Sequence, residues 1–216
     1  MKEIVCPALK GLPKGKKARA IALGEGLKQV YPDAACALAY EQDPFHLLVM
    51  ARLSAQCTDK RVNLVSRELF RVLPDARAFA GAPLEKIETL VKPCGLYHTK
   101  AKSIQDFSRI LVERYGGQVP DTKEALLALP GVGEKIANLM MGDVFGDPHI
   151  VADTHCIRLS GRWKLTDSRV PEKVTRDLEK IVPKEEQSDF CHRVVDFGRD
   201  FCRAMNPDCE GCPLRK

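Results

Sequence analysis

Apolar residues recur along this chain at steps of three and four. Val62, Val65, Leu69 and Val72 follow Thr58, whose side chain can cap a helix, and Ile104, Phe107, Leu111 and Tyr115 lead up to the pair Gly116 and Gly117. Leu84, Ile87 and Leu90 follow Pro83, while Val174, Leu178 and Ile181 follow Pro171, a residue type suited to the first helical position. Asp121 with Glu124 reads as a capping box ahead of a further helix. Alternating, strand-like stretches are nearly absent. The pattern predicts a compact all-α protein of about ten helices. No low-complexity linker or long repeat interrupts it, so any division into domains must come from chain threading.

A length of 216 residues with 44% hydrophobic content is enough to build a core without disulfide staples. The N-terminal segment carries Lys2, Lys10, Lys14, Lys16 and Lys17 in place of an apolar signal core, and no apolar run approaches the roughly 20 residues of a membrane helix. A reducing cytosol is therefore expected, with no membrane partner. The nine cysteines are an odd number, which argues against complete pairing and towards a metal or cluster role for some of them. The net charge of +5 is a mild attraction for polyanions and identifies no partner by itself.

The segment Leu129-Pro130-Gly131-Val132-Gly133-Glu134-Lys135-Ile136-Ala137 places a glycine-rich turn between two helical patterns. Gly131 and Gly133 permit backbone angles and close approaches that a side chain would block, and the following helix start offers unpaired N–H groups to a DNA phosphate. An ordinary tight helical turn is the simpler reading of two such glycines. Lys135 falls in the first turn of the second helix, where the macrodipole disfavours a cation. The dipole, together with partial desolvation, would favour the neutral amine, a nucleophile. A solvated lysine on an exposed helix face is the bland alternative.

Downstream, Val151-Ala152-Asp153-Thr154-His155 opens another helical pattern. Local sequence favours Asp153 as the helix cap. A carboxylate there could also assist deprotonation of an amine and stabilise a developing cationic sugar. His155, so close to a helix start, reads as a structural hydrogen-bonding residue.

Taken together, Leu53-Ser54-Ala55-Gln56-Cys57-Thr58-Asp59, Gly95-Leu96-Tyr97 followed by Lys100-Ala101, the hairpin with Lys135, and the Asp153 segment resemble the endonuclease III family in order and spacing. The match runs from about Pro44 to Cys212. The resemblance implies the two-domain helix-hairpin-helix DNA glycosylase fold. Residues 37–147 would form a six-helix domain holding the hairpin, and residues 1–36 plus 148–216 a second helical domain, with DNA in the cleft. It further implies Lys135 as the nucleophile at C1′ and Asp153 as the essential carboxylate. Damaged double-stranded DNA would be the partner, its lesion flipped out of the stack, with Gln56 entering the vacated space and Leu96 wedging the opposite strand. Gln56 and Leu96 could equally be a helix-end polar residue and a buried loop anchor. The related enzyme that removes adenine from mismatches usually has glutamate where this chain has Arg52, and lacks a lysine at position 135. Related 8-oxoguanine glycosylases use a lysine but do not fit the cysteine-rich tail.

That tail, Cys202, Cys209 and Cys212, matches the first three ligands of the family's [4Fe–4S] loop. The family pattern places a fourth cysteine farther along than Lys216, where this sequence stops. Cys191, Cys94 or another cysteine could substitute, the terminal carboxylate or an exogenous ligand could complete one iron, or the sequence could be truncated. Cys191 beside His192 reads as structural. A zinc site lacks a ligand in the same way. Arg199 and Arg203 flank Cys202 and suit either phosphate contact or a solvated helix face. The expectation is a monomeric, cytoplasmic, DNA-associated glycosylase and AP lyase for oxidised pyrimidines, carrying a structural cluster and using no diffusible cofactor. Its rivals are a noncatalytic lesion-sensing DNA-binding protein and an iron–sulfur electron carrier.

Overall fold

The computed structural model describes residues 6–215, and among them the helical periodicity is realised as eleven α-helices with short 3-10 turns and no strand. The chain forms two compact units, one continuous (Ala37–Gly146) and one discontinuous (Met1–Cys36 with Asp147–Lys216). Helix α1 (Lys16–Val30) opens the discontinuous unit. The continuous unit follows as α2 (Pro44–Leu53), α3 (Asp59–Val72), α4 (Ala76–Gly81), α5 (Leu84–Val91), α6 (Tyr97–Tyr115), α7 (Lys123–Leu127) and α8 (Glu134–Asp143). The chain then returns to the first unit with α9 (Thr154–Arg162), α10 (Pro171–Glu179) and α11 (Gln187–Asp200). No helix among the described residues is long and apolar enough to cross a membrane, and none of the nine cysteines is in a disulfide.

In the continuous unit α6 is the central element, packed against α4, α5 and α2. Its Ile104, Phe107 and Leu111 are fully buried, and Phe107 and Phe79 both meet the ring of Phe45 edge-on at 6.4 and 5.5 Å. The helix stops at Gly116 and Gly117 because both adopt positive φ, letting Gly117 N–H bond back to Leu111 O at 2.8 Å. In the discontinuous unit α11 packs on α1 and α9. Trp163 and Phe197 lie at the centre of that core, beside Leu23, Leu27, Leu159 and Val194.

Helix starts follow side-chain chemistry. Asp43 accepts from Phe45 N and His46 N at 2.8 and 3.0 Å, Thr58 accepts from Arg61 N, and Asp75 from Ala78 N. The start of α7 corrects the capping-box reading by one residue. Thr122, in extended conformation, is the N-cap and accepts from Ala125 N at 3.4 Å. Glu124 therefore sits at the second helical position, where it favours the helix dipole but is out of step for a reciprocal box with Asp121.

Because Asp43 engages two N–H groups at the head of α2, Asp43→Ala is expected to destabilise the continuous unit by about 1 kcal/mol. Urea unfolding should show a lower midpoint at unchanged slope; an unchanged midpoint would remove the cap from the account.

Candidate functional site

The hairpin joins α7 to α8, which pack together, and α8 also packs on α2. Gly131 has φ +79°, and a Cβ there would meet Arg52 Nε and Ser103 Cβ at 2.8 Å each, so this position needs glycine for both conformation and space. Gly133 differs from the expectation drawn from the sequence. Its φ is −105° and nothing lies within 4 Å of a would-be Cβ, so the protein itself does not demand glycine there. The opening lies outward, at the head of α8, where Gly133 provides no side-chain cap and the first-turn N–H groups have none of the side-chain acceptors seen at α2, α3, α4 and α7. Such a helix head favours an anion.

Lys135 is an exposed residue of the first turn of α8. The chain by itself therefore does not supply the partial desolvation expected from the sequence; the proximity of the helix head remains. Its neighbour Glu134 is held across the hairpin by Lys123 at 2.8 Å, which leaves that carboxylate engaged away from the lysine.

Two loops flank the same end of this unit. Gln56, in the turn between α2 and α3, has φ +53°, and Leu96, just before α6, has φ +49°. Left-handed backbone in a non-glycine residue costs about 1–2 kcal/mol. Both side chains are exposed, Leu96 to 55%, so the alternative of a buried loop anchor does not hold for Leu96. The loops come together one residue beyond Gln56 and two before Leu96: Cys57 lies beside Cys94, and burial first, then this neighbour, pushes the Cys94 thiol up to about 11. Lys100 lies fully buried behind them and donates to Cys94 O at 2.8 Å. Burial holds its amine below the ordinary lysine value.

A polar chain links these loops to the hairpin. Arg52 Nε donates to Ser103 Oγ at 2.8 Å, and Ser103 Oγ donates to Lys100 O at 3.0 Å, on the surface against which Gly131 is pressed. Burial lowers the Arg52 guanidinium, which nonetheless remains a cation. Sequence patterns gave Arg52 only a discriminating role between relatives, marked Lys100 only as part of a stretch carrying the family resemblance, and did not mark Ser103; a serine on the buried face of α6 was the signal available.

In the discontinuous unit Asp153 caps α9, its Oδ1 accepting from Cys156 N at 2.7 Å. This bond uses one carboxylate oxygen, and the residue is half-buried. His155 bonds Arg158 at 3.1 Å and lies so close to Gly198 that a Cβ there would stand 2.5 Å from its ring nitrogen. It serves as packing between α9 and α11.

The tail cysteines line a shallow recess together with Phe197, Phe201 and Cys6. Arg162 organises its rim, donating to the carbonyls of Cys202, Arg203 and Ala204 and to Cys202 Sγ at 3.1 Å. Among the described residues no three His, Cys, Asp or Glu converge closely enough to chelate one metal ion. Three thiols that line one recess without converging on a point suit a multinuclear group better than a single ion. Cys191 is elsewhere: its Sγ accepts from Val151 N at 3.2 Å and it pairs with Cys156.

A family model described as "HhH-GPD superfamily base excision DNA repair protein" matches residues 49–184. An endonuclease III from Synechocystis sp. is 43% identical over 200 residues, covering 92% of this chain and 91% of that protein. A solved non-covalent endonuclease III–DNA complex superposes with TM-score 0.87 at 40% identity, covering 92% of each chain. A trapped endonuclease III–DNA covalent intermediate, an estranged-adenine complex, gives the same TM-score and identity over 94% of each chain. By fold and by sequence, the chain belongs to the HhH-GPD superfamily of base excision DNA repair proteins.

Proposed function

We propose that this chain is a bifunctional DNA glycosylase and AP lyase that removes oxidised pyrimidines from double-stranded DNA. The observation that carries the reading is an exposed Lys135 at the uncapped head of α8, in a chain whose 40%-identical counterpart was trapped in covalent union with DNA. A phosphate of the bound strand takes the N–H groups at the hairpin, which the open space at Gly133 lets approach. The lesion leaves the stack, Gln56 fills the gap and Leu96 enters against the opposite strand. The strain at these two exposed residues is then stored for DNA contact rather than for packing.

Lys135 Nζ, once deprotonated, attacks C1′ and the damaged base departs with the glycosidic electron pair. Ring opening gives the imine between Lys135 and C1′. Loss of a C2′ proton then expels the 3′ phosphate by β-elimination, and water releases the lysine. Asp153 provides negative charge for the cationic sugar and a site for the proton, using the carboxylate oxygen that the α9 cap leaves over. Cys202, Cys209 and Cys212 hold a [4Fe–4S] cluster that supplies structural cross-linking for the tail loop. Arg162 donates to the Cys202 sulfur and fixes its orientation.

Sodium borohydride should convert the imine into a stable protein–DNA adduct on a duplex carrying one thymine glycol, with strand cleavage in its absence. Lys135→Ala should abolish both; an active alanine variant would end the assignment, and tight lesion binding by wild type without any adduct would favour the noncatalytic reading. Asp153→Asn keeps a good N-cap and should leave the melting temperature nearly unchanged while lowering glycosylase turnover by at least about tenfold. Asp153→Ala should lose activity and also about 1 kcal/mol of stability. If the asparagine variant retains turnover, Asp153 is a cap alone. Gly133→Ala should preserve stability and weaken duplex binding several-fold, whereas Gly131→Ala should unfold at lower denaturant; equal stability losses in the two would contradict the division of roles between the glycines.

A further inference from the structure

The tail loop supplies three thiols, and the nearest further thiol comes from the opposite end of the chain. Cys6 lies just before a 3-10 turn, Pro7–Gly11, which packs against the last one, Pro213–Arg215. Helix α1 presses on that same C-terminal turn so tightly that a Cβ on Gly26 would stand 2.7 Å from Leu214 Cδ2. The N-terminal segment is thereby drawn over the cysteine loop. Cys6 is only 8% exposed and lines the recess together with Cys202, Cys209 and Cys212.

The recess has the character of a built site. Its walls include Ala8, Phe197 and Phe201, which limit water at the sulfurs. The loop is fixed by Asp208 N donating to Phe201 O at 2.8 Å and Gly211 N donating to Asp208 Oδ1 at 2.9 Å. Arg215 donates to Cys209 O at 3.2 Å. Cys6 thus shares one recess with all three thiols of the tail. The two substitutes named from the sequence, Cys191 and Cys94, lie elsewhere. Cys191 lies beside Cys156 and accepts from Val151 N, and Cys94 lies beside Cys57 within the continuous unit. Lys216, with the terminal carboxylate, lies outside the described residues.

We propose that Cys6 is the fourth ligand of the iron–sulfur cluster held by Cys202, Cys209 and Cys212, so that the group joins the N-terminal segment to the C-terminal loop. The inference rests on the cluster reading above. Each of the four thiols gives up its proton on binding iron, and the fourth ligand arrives from nearly 200 residues upstream of the other three. Three thiols of the tail and one from the N-terminal segment meet at a single recess.

The test uses the full chain purified without oxygen, with iron, zinc and acid-labile sulfide measured per protein alongside the visible thiolate-to-iron absorption. Cys6→Ala should lose about one iron in four, or the whole cluster, while Cys191→Ala keeps wild-type iron and sulfide. A Cys6→Ala protein with wild-type metal content and spectrum would overturn the inference and leave the cluster reading intact. A wild type without iron and sulfide would overturn the cluster reading itself and the inference with it. A second measurement guards against a misfolded variant: wild-type protein is alkylated before and after oxidative removal of iron in chelator, and each cysteine is mapped by mass spectrometry. Cys6 should become reactive together with Cys202, Cys209 and Cys212, whereas Cys156 and Cys191 stay protected. Reactivity of Cys6 that does not change with iron removal would exclude it as a ligand.

Discussion

The absence of a side chain at Gly131 is the constraint on which the arrangement of the continuous unit depends. With φ at +79° and Arg52 and Ser103 within 2.8 Å of where a Cβ would stand, the hairpin seats directly on the polar link between α2 and α6. That link continues through Ser103 Oγ to Lys100 O, and from Lys100 Nζ to Cys94 O. One short relay of hydrogen bonds thus fixes the hairpin, the head of α6 and the loop before it. Buried polar groups are costly when left unpaired and rigid when satisfied. Lys100 is fully buried and answered by a carbonyl, so the relay specifies geometry as well as contributing cohesion.

The same frame explains how the unit tolerates strain at its exposed loops. Gln56 and Leu96 each hold a left-handed backbone on a residue that gains nothing from burial. Between them the thiols of Cys57 and Cys94 close the gap, and α3 packs on the turn that carries Cys94. The strain is therefore anchored from behind and faces outward. A leucine 55% exposed at such a position makes sense where it meets another surface, and a stacked base pair is an apolar surface of the right kind.

Much of the helical architecture was legible because burial repeats with the helix. Ile104, Phe107 and Leu111 are fully buried where the pattern placed them, and Pro171 begins α10 as its chemistry suggests. The reading weakened where two adjacent residues had similar chemistry, as at Asp121 and Thr122, since either can cap a helix and only backbone geometry chooses. On α3 the buried face includes Ser66 while Val65 is only partly covered, a choice made by neighbouring helices rather than by propensity. The division into two units left no trace in composition. The polar relay was also hidden, because Arg52 stands 51 residues before Ser103 and both are ordinary as residue types.

The cysteine loop shows why local spacing is an incomplete guide to a ligand set. A motif read along the chain finds ligands supplied by one loop, whereas coordination requires only that donor atoms meet in space. Here α1 and the turn before it carry Cys6 onto the tail, and the close approach of Gly26 to Leu214 makes that meeting a matter of packing. Since loop-closure entropy rises only slowly with length, a bond between the two ends of a long chain restricts the unfolded ensemble somewhat more than one confined to the tail. Metal binding and folding would then be linked across the discontinuous unit. The N-terminal segment, with Ala8 and Leu9 among its apolar anchors, would gain from such a cluster an attachment beyond hydrophobic burial.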